Sequence, residues 1–157
     1  MDSGSTVDAI CIFLDRIGIG YELGAVGEST FLPGLLVDRG RVIIDRERLT
    51  YPGDILHEAG HLALIPEGER AGMTQELLAN RPTGQGEEIG VQLWTYLAAL
   101  EIGLPPEVVF HAGGYQGSSE WFVENYGSGN YIGLPLLTWM GIAVANPEGG
   151  PPAVKRW

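Results

Sequence analysis

A single H-E-x-x-H pattern at residues 57–61 constrains this chain more than any other feature of its sequence. The pattern lies in a largely apolar stretch that predicts a helix over about residues 52–65. Residues four apart on a helix lie on the same face, so the imidazoles of His57 and His61 can reach one metal ion. The spacing therefore predicts a metal-binding helix.

Zinc is the metal that such a pair of histidines most often binds. Glu58 follows His57 directly and is placed beside the metal, where its carboxylate can take a proton from a metal-bound water. The alternative is a buried helix whose histidines bond to backbone carbonyls. Polar groups out of water need partners, which disfavours a buried cluster without metal. We expect Zn²⁺ as cofactor and Glu58 as catalytic base.

The third zinc ligand is not decided by the spacing. A catalytic zinc site usually has three protein ligands and one water, and sites with two histidines commonly add a glutamate. Glu87 and Glu88 begin a predicted helix over residues 87–102 that has a wide apolar face. Either carboxylate can reach the metal if this helix packs on the motif helix. The other is then an acidic residue of the first turn, which the helix dipole favours.

Other candidate residues lie further along the chain. A metzincin would need glycine and histidine where this chain has Leu64 and Glu67, so that signature is absent. His111, the only other histidine, is an alternative ligand, a donor to the oxyanion of a tetrahedral intermediate, or a histidine with a structural role. The glycine-flanked tyrosines are expected to line a cleft, to stabilise an oxyanion or only to cover the edge of the core: Tyr115, Tyr126 and Tyr131.

Several stretches together resemble the ImmA/IrrE type of bacterial metallopeptidase: residues 41–45, residues 55–64, residues 87–94, and Leu104-Pro105. The resemblance extends over residues 34–105, about half of the chain. It implies a small zincin-like core with a short sheet, an H-E-x-x-H helix, and a glutamate ligand at the head of the following core helix. By this resemblance the zinc ligands are His57, His61 and Glu88, and the catalytic base is Glu58.

The remaining pattern predicts a single α+β domain over residues 1–157. A hairpin is expected from residues 34–37 and 41–45, joined by a three-residue loop at 38–40 and packed on the motif helix. Helices are expected over residues 6–17, 71–80, 105–110 and 120–126, and in the apolar segment 132–144. Loops are expected over residues 21–33, where the alternative is a loop with one short strand, and over 81–86. An irregular or mobile tail is expected over 146–157.

The composition of the chain limits the kinds of binding partner that we expect. A formal net charge of -11 repels phosphate backbones, so we expect no nucleic-acid binding. No apolar run approaches membrane-spanning length and no secretory signal is visible, which predicts a cytoplasmic protein without a membrane partner.

The predicted function is zinc-dependent hydrolysis of a peptide or protein substrate. The alternatives are a non-proteolytic zincin-fold protein that binds a protein partner, and a metal-dependent hydrolase of non-peptide substrates.

Overall fold

Helix α1, Ser3–Ile17, is the first element in the computed structural model, which describes residues 2–157. The Asp2 carboxylate caps the helix by accepting the backbone N–H of Ser5 at 2.9 Å, and Gly18 ends it with a left-handed φ of 80°. The predicted start at residue 6 was three residues too late. Aspartate is a strong N-cap residue, and here it starts the helix almost one turn earlier.

A three-stranded sheet follows, formed by β1 (Gly20–Leu23), β2 (Leu35–Asp38) and β3 (Arg41–Ile44). The strand order is β1-β3-β2, with β1 parallel and β2 antiparallel to the central β3. The predicted hairpin is confirmed, but its loop has two residues rather than three. Arg39 and Gly40 both have positive φ, 48° and 71°, as a type I′ turn requires, and Asp38 pairs with Arg41 in the ladder.

The central part of the chain is helical, with α2 (Asp54–Ala63), α3 (Glu67–Arg70), α4 (Gln75–Ala79) and α5 (Gly84–Ile102). The motif therefore lies on a helix, as expected. The predicted loop 81–86 is only partly correct, because α5 begins one turn before Glu87. Arg81 and Thr83 both donate hydrogen bonds to the Glu87 carboxylate, which stabilises this first turn. No helix within residues 2–157 is long and apolar enough to cross a membrane.

The last third of the chain has short elements. They are two 3-10 turns, Pro106–Val108 and Tyr115–Gly117, then α6 (Ser119–Gly127), α7 (Leu134–Trp139), β4 (Ala143–Val144) and β5 (Ala153–Val154). The apolar segment 132–144 therefore contains a helix of one and a half turns and then a strand. Pro135 lies in the first turn of α7, where its missing N–H removes no helix hydrogen bond.

The C-terminal tail is anchored to the rest of the fold, so the prediction of an irregular or mobile segment over 146–157 was wrong there. Strand β5 pairs antiparallel with β4. The indole of Trp157 packs edge-on against Phe13 and Trp94, at ring-centroid distances of 5.1 Å and 5.7 Å. These aromatic contacts bury the end of the chain against α1 and α5.

Helices α2 and α5 pack closely at Gly60. A Cβ atom on Gly60 would lie 3.0 Å from Val91 Cγ1 and 3.1 Å from Trp94 Cε3, so no larger side chain fits without displacement. Glu88 lies one turn before Val91 on α5, and His61 follows Gly60 directly on α2. The close approach at Gly60 therefore brings the motif helix and the predicted third-ligand helix together.

Replacing Gly60 with leucine should lower the free energy of unfolding by about 1–3 kcal/mol, because the new side chain overpacks the contact with Val91 and Trp94. The matched control is Gly86→Ala on α5, where an added Cβ meets nothing within 4 Å. This control should be neutral or slightly stabilising. Urea unfolding of both variants measures the difference. A Gly60→Leu variant as stable as the wild type would contradict the close helix contact.

Candidate metal centre

His57 and His61 lie one turn apart on α2, and their rings meet at their outer nitrogens. The Nε2 atoms of the two imidazoles are 3.2 Å apart. Helix α2 is fixed in the core by apolar side chains on both sides of the motif, and Ile55, Leu56 and Leu62 are fully buried. The helix is thus held rigidly, and both histidines project from the same face.

Glu88 on α5 completes a group of three. Its Oε1 lies 3.3 Å from Nε2 of His57, and its Oε2 lies 3.3 Å from Nε2 of His61. Within residues 2–157 these three side chains are the group of potential ligands close enough to share a metal ion. The Glu88 side chain is 36% exposed, so the site is open to solvent on this side.

The separations fit a tetrahedral metal. Zinc binds histidine nitrogen and carboxylate oxygen at about 2.0–2.2 Å, which places ligand atoms of a tetrahedron about 3.3–3.6 Å apart. The two Nε2 atoms lie 3.2 Å apart, and each lies 3.3 Å from one of the two oxygens of Glu88. Glu88 has no lysine or arginine partner among residues 2–157. A cation at the centre of the group would supply the positive charge that this carboxylate lacks.

The two alternative ligands have other partners. Glu87 accepts hydrogen bonds from Arg81 Nε at 3.1 Å and Nη2 at 2.8 Å, and from Thr83 Oγ1 at 2.8 Å. The hydrogen bond from Arg81 lowers the pKa of Glu87, whereas burial raises the pKa of Glu88. The neighbouring glutamates therefore have different environments, and only Glu88 faces the histidines.

His111 lies outside the group of three. Its Nε2 is 2.7 Å from Oδ1 of Asp54, in the first turn of α2, and its ring stacks on Tyr51 with centroids 3.6 Å apart. The backbone carbonyl of His111 accepts a hydrogen bond from Ser119 Oγ at 2.6 Å. His111 therefore links the loop before α6 to the start of the motif helix.

Both histidines of the motif are neutral at ordinary pH. Burial, and secondarily the charge of His61, lowers the pKa of His57 to about 3. Burial lowers the pKa of His61 to about 4, although Glu87 acts in the opposite direction. A neutral imidazole has a free lone pair, which is the form that binds a metal. These histidines therefore need not lose a proton before they bind a metal ion.

Glu58 is enclosed by protein. Its side chain is 3% exposed, and its Oε2 has no hydrogen-bond partner within the described residues. Burial, with smaller effects from the charges of Asp54 and Glu88, raises the pKa of Glu58 to about 7, although Gln75 acts to lower it. A carboxylate with a pKa near neutrality can both accept and donate a proton.

Gln75 lies between Glu58 and the sheet. Its Oε1 accepts the backbone N–H of Val37 on β2 at 3.0 Å, and its side chain stabilises the charged form of Glu58. Strand β2 is an outer strand of the sheet, so Gln75 takes the place that a neighbouring strand would have at this N–H. The sequence did not indicate Gln75, because it lies in a short helix 17 residues beyond Glu58 with no motif around it.

Tyr115 is one of the three glycine-flanked tyrosines among which the sequence did not choose. Its hydroxyl lies 3.1 Å from Nδ1 of His57. Burial, and then the charges of Asp54 and Glu88, raises the pKa of Tyr115 well above its ordinary value, so the hydroxyl stays protonated. Tyr126 and Tyr131, the other glycine-flanked tyrosines, form no hydrogen bond with the three candidate ligands.

Comparisons of the chain with protein-family models, with curated proteins and with solved structures found no match.

Replacing Glu88 with alanine should weaken zinc binding by more than about 100-fold, because it removes one of three converging ligands. Glu87→Ala is the matched control. It should leave zinc affinity unchanged and lower the melting temperature, since Arg81 loses its partner. Competition with a chelating zinc indicator measures both affinities. Equal zinc affinity in the two variants would contradict the assignment of Glu88.

Proposed function

We propose that this protein is a zinc-dependent peptidase with a zincin-like core. The observation that carries the proposal is the convergence of His57 Nε2, His61 Nε2 and the Glu88 carboxylate at separations of 3.2–3.3 Å. The mixed α+β fold, in which a short sheet precedes the H-E-x-x-H helix, is compatible with it. The resemblance to ImmA/IrrE-type metallopeptidases supports the same reading of the ligands.

The donor set favours zinc. Two imidazoles and one carboxylate form a catalytic zinc site that leaves a fourth position for water. His57, His61 and Glu88 would hold the zinc ion, which would supply Lewis-acid chemistry by lowering the pKa of a bound water to about 7 and by polarising a carbonyl. Calcium and magnesium instead prefer sites made of oxygen ligands, and structural zinc sites usually have four protein ligands. The open side of this site therefore supports a catalytic role.

Glu58 is the proposed proton carrier of the reaction. Glu58 follows His57 directly on α2 and is close enough to Glu88 for the charge of Glu88 to raise its pKa, and a pKa of about 7 suits both halves of a proton transfer at neutral pH. In peptide hydrolysis the carboxylate takes a proton from the attacking water. It then passes this proton to the amine that leaves when the carbon–nitrogen bond breaks. Burial of Glu58 limits exchange of the proton with bulk solvent.

The outer edge of β2, where Gln75 occupies the outward N–H of Val37, supports a peptide substrate rather than a small molecule. An extended peptide can add to an outer strand through main-chain hydrogen bonds. Strand β2 packs beside α2, and the outward N–H of Val37 is already bonded to a carbonyl oxygen, that of the Gln75 side chain. A substrate carbonyl can take the same place if Gln75 moves away. Such a peptide would lie close to Glu58, which Gln75 also approaches.

Glu58→Gln should reduce hydrolysis of casein by about 100- to 10,000-fold, because glutamine cannot accept the proton from water. Zinc content should stay at the wild-type level, since Glu58 is not among the three converging ligands. Cleavage is measured by gel and by mass spectrometry of the peptides, with a chelator-treated sample as a second control. Full activity in Glu58→Gln would remove Glu58 as the base.

The same preparation separates the other two functions. A zinc-loaded protein that hydrolyses simple esters but no protein or peptide would favour a non-peptide hydrolase. A protein that binds zinc and hydrolyses neither would favour a role in binding a partner. Cleavage that disappears both with chelator and in Glu58→Gln favours the peptidase over both alternatives.

A further inference from the structure

A strained loop carries Tyr115 to the back of His57. Tyr115 and Gln116 both have positive φ values, 56° and 53°, in the left-handed region that L-residues other than glycine rarely adopt. Two such residues in succession are unusual, and the surrounding contacts must hold them there. The Tyr115 hydroxyl ends 3.1 Å from Nδ1 of His57, the nitrogen that faces away from Glu88.

The loop is anchored at several points. His111 bonds to Asp54 of α2 through Nε2 and to Ser119 through its backbone carbonyl. A Cβ atom on Gly114 would lie 3.0 Å from the His111 ring, so the backbone at Gly114 packs directly on that ring. His111 therefore fixes the loop to the same helix that carries His57.

Aromatic contacts hold the Tyr115 ring itself. Its centroid lies 5.0 Å from that of Phe110 and 5.5 Å from that of Phe122, and it meets the His57 ring at 5.5 Å in an edge-on arrangement. These contacts fix where the hydroxyl points. Among the described residues, His57 is the one hydrogen-bond partner of this hydroxyl.

The chemistry of a histidine ligand gives this contact a role. An imidazole that binds metal through Nε2 keeps its proton on Nδ1, and that N–H needs an acceptor. The Tyr115 oxygen is the acceptor available to His57. With the N–H donated to Tyr115, the ring is held both in the tautomer and in the orientation that direct the Nε2 lone pair towards Glu88 and His61.

We propose that Tyr115 is a positioning residue that orients His57 for metal binding through a hydrogen bond at Nδ1. This inference rests on the metal centre of the proposed function, but it does not require that the protein cleaves peptides. The left-handed backbone at residues 115 and 116 is then the conformation that delivers the hydroxyl to the ligand. His111 acts on the same ligand indirectly, by anchoring the loop.

The test compares Tyr115→Phe with Tyr126→Phe. Each variant loses one hydroxyl from the same aromatic cluster, and the buried Tyr126 hydroxyl has no hydrogen-bond partner among the described residues. Tyr115→Phe should bind zinc about 10- to 100-fold more weakly, as expected for loss of a hydrogen bond to a metal ligand. Tyr126→Phe should bind zinc as the wild type does.

A second measurement distinguishes a lost hydrogen bond from a loss of stability in Tyr115→Phe. Imidazole ¹⁵N NMR of the zinc-loaded wild type should show His57 protonated at Nδ1, with slow exchange of that proton. The proton should exchange faster in zinc-saturated Tyr115→Phe and be unchanged in Tyr126→Phe. The visible spectrum of the Co²⁺ form should also change in Tyr115→Phe alone.

The outcomes separate the two proposals. Wild-type zinc affinity and unchanged Nδ1–H exchange in Tyr115→Phe would overturn the role of Tyr115 and leave the metal centre standing. Equal weakening in both phenylalanine variants would also overturn it, because the effect would then come from the aromatic cluster as a whole. A wild-type protein that binds no zinc would overturn the metal centre and this role together. Intact zinc binding without peptide cleavage would affect only the proposed activity.

Discussion

The convergence of two neutral imidazoles and one carboxylate depends on how closely α2 and α5 approach each other. Gly60 lies at the contact, where an added Cβ would touch Val91 and Trp94. A larger residue at this position would separate the helices, and Glu88 would then no longer reach both histidines. The candidate site is therefore a product of core packing as much as of the H-E-x-x-H pattern, and the tail anchored by Trp157 packs against the same Trp94.

The three glutamates around the site differ in burial and in their hydrogen-bond and ion-pair partners, and these differences give them different roles. Glu87 is held by Arg81 and Thr83, so its charge is neutralised within the first turn of α5. Within residues 2–157 the partners of Glu88 are the two histidines, which leaves its carboxylate for a cation. Glu58 is the most enclosed of the three, and the cost of burying its charge raises its pKa to about 7. The same side chain type thus serves as a structural partner, a candidate ligand and a candidate base.

Local pattern was enough to predict the motif helix, the β2–β3 hairpin and the two histidines that face one another, because each depends on residues close together in sequence. The choice between Glu87 and Glu88 could not be made in this way. Adjacent residues point about 100° apart on a helix, and which one faces α2 depends on packing between distant segments. The early start of α5 depends on side-chain hydrogen bonds to Glu87, which apolar periodicity does not report.

Tyr115 and the tail show a second limit. Tyr115 reaches His57 across 58 positions of sequence, through a loop whose backbone conformation is rare for its residues. Strands β4 and β5 have two residues each, too few for an alternating pattern to appear. In both places the structure depends on aromatic side chains that contact residues far away in the chain: Tyr115 contacts His57, and Trp157 contacts Phe13 and Trp94.

Anomalous diffraction at the zinc absorption edge, from crystals of the zinc-loaded protein, tests the central claim most directly. The predicted result is one strong anomalous peak. It marks a zinc ion bonded at about 2.0–2.2 Å to Nε2 of His57, Nε2 of His61 and a Glu88 oxygen, with a fourth, non-protein ligand. A peak elsewhere, or no peak in protein that has been saturated with zinc, would contradict the metal centre and the function built on it.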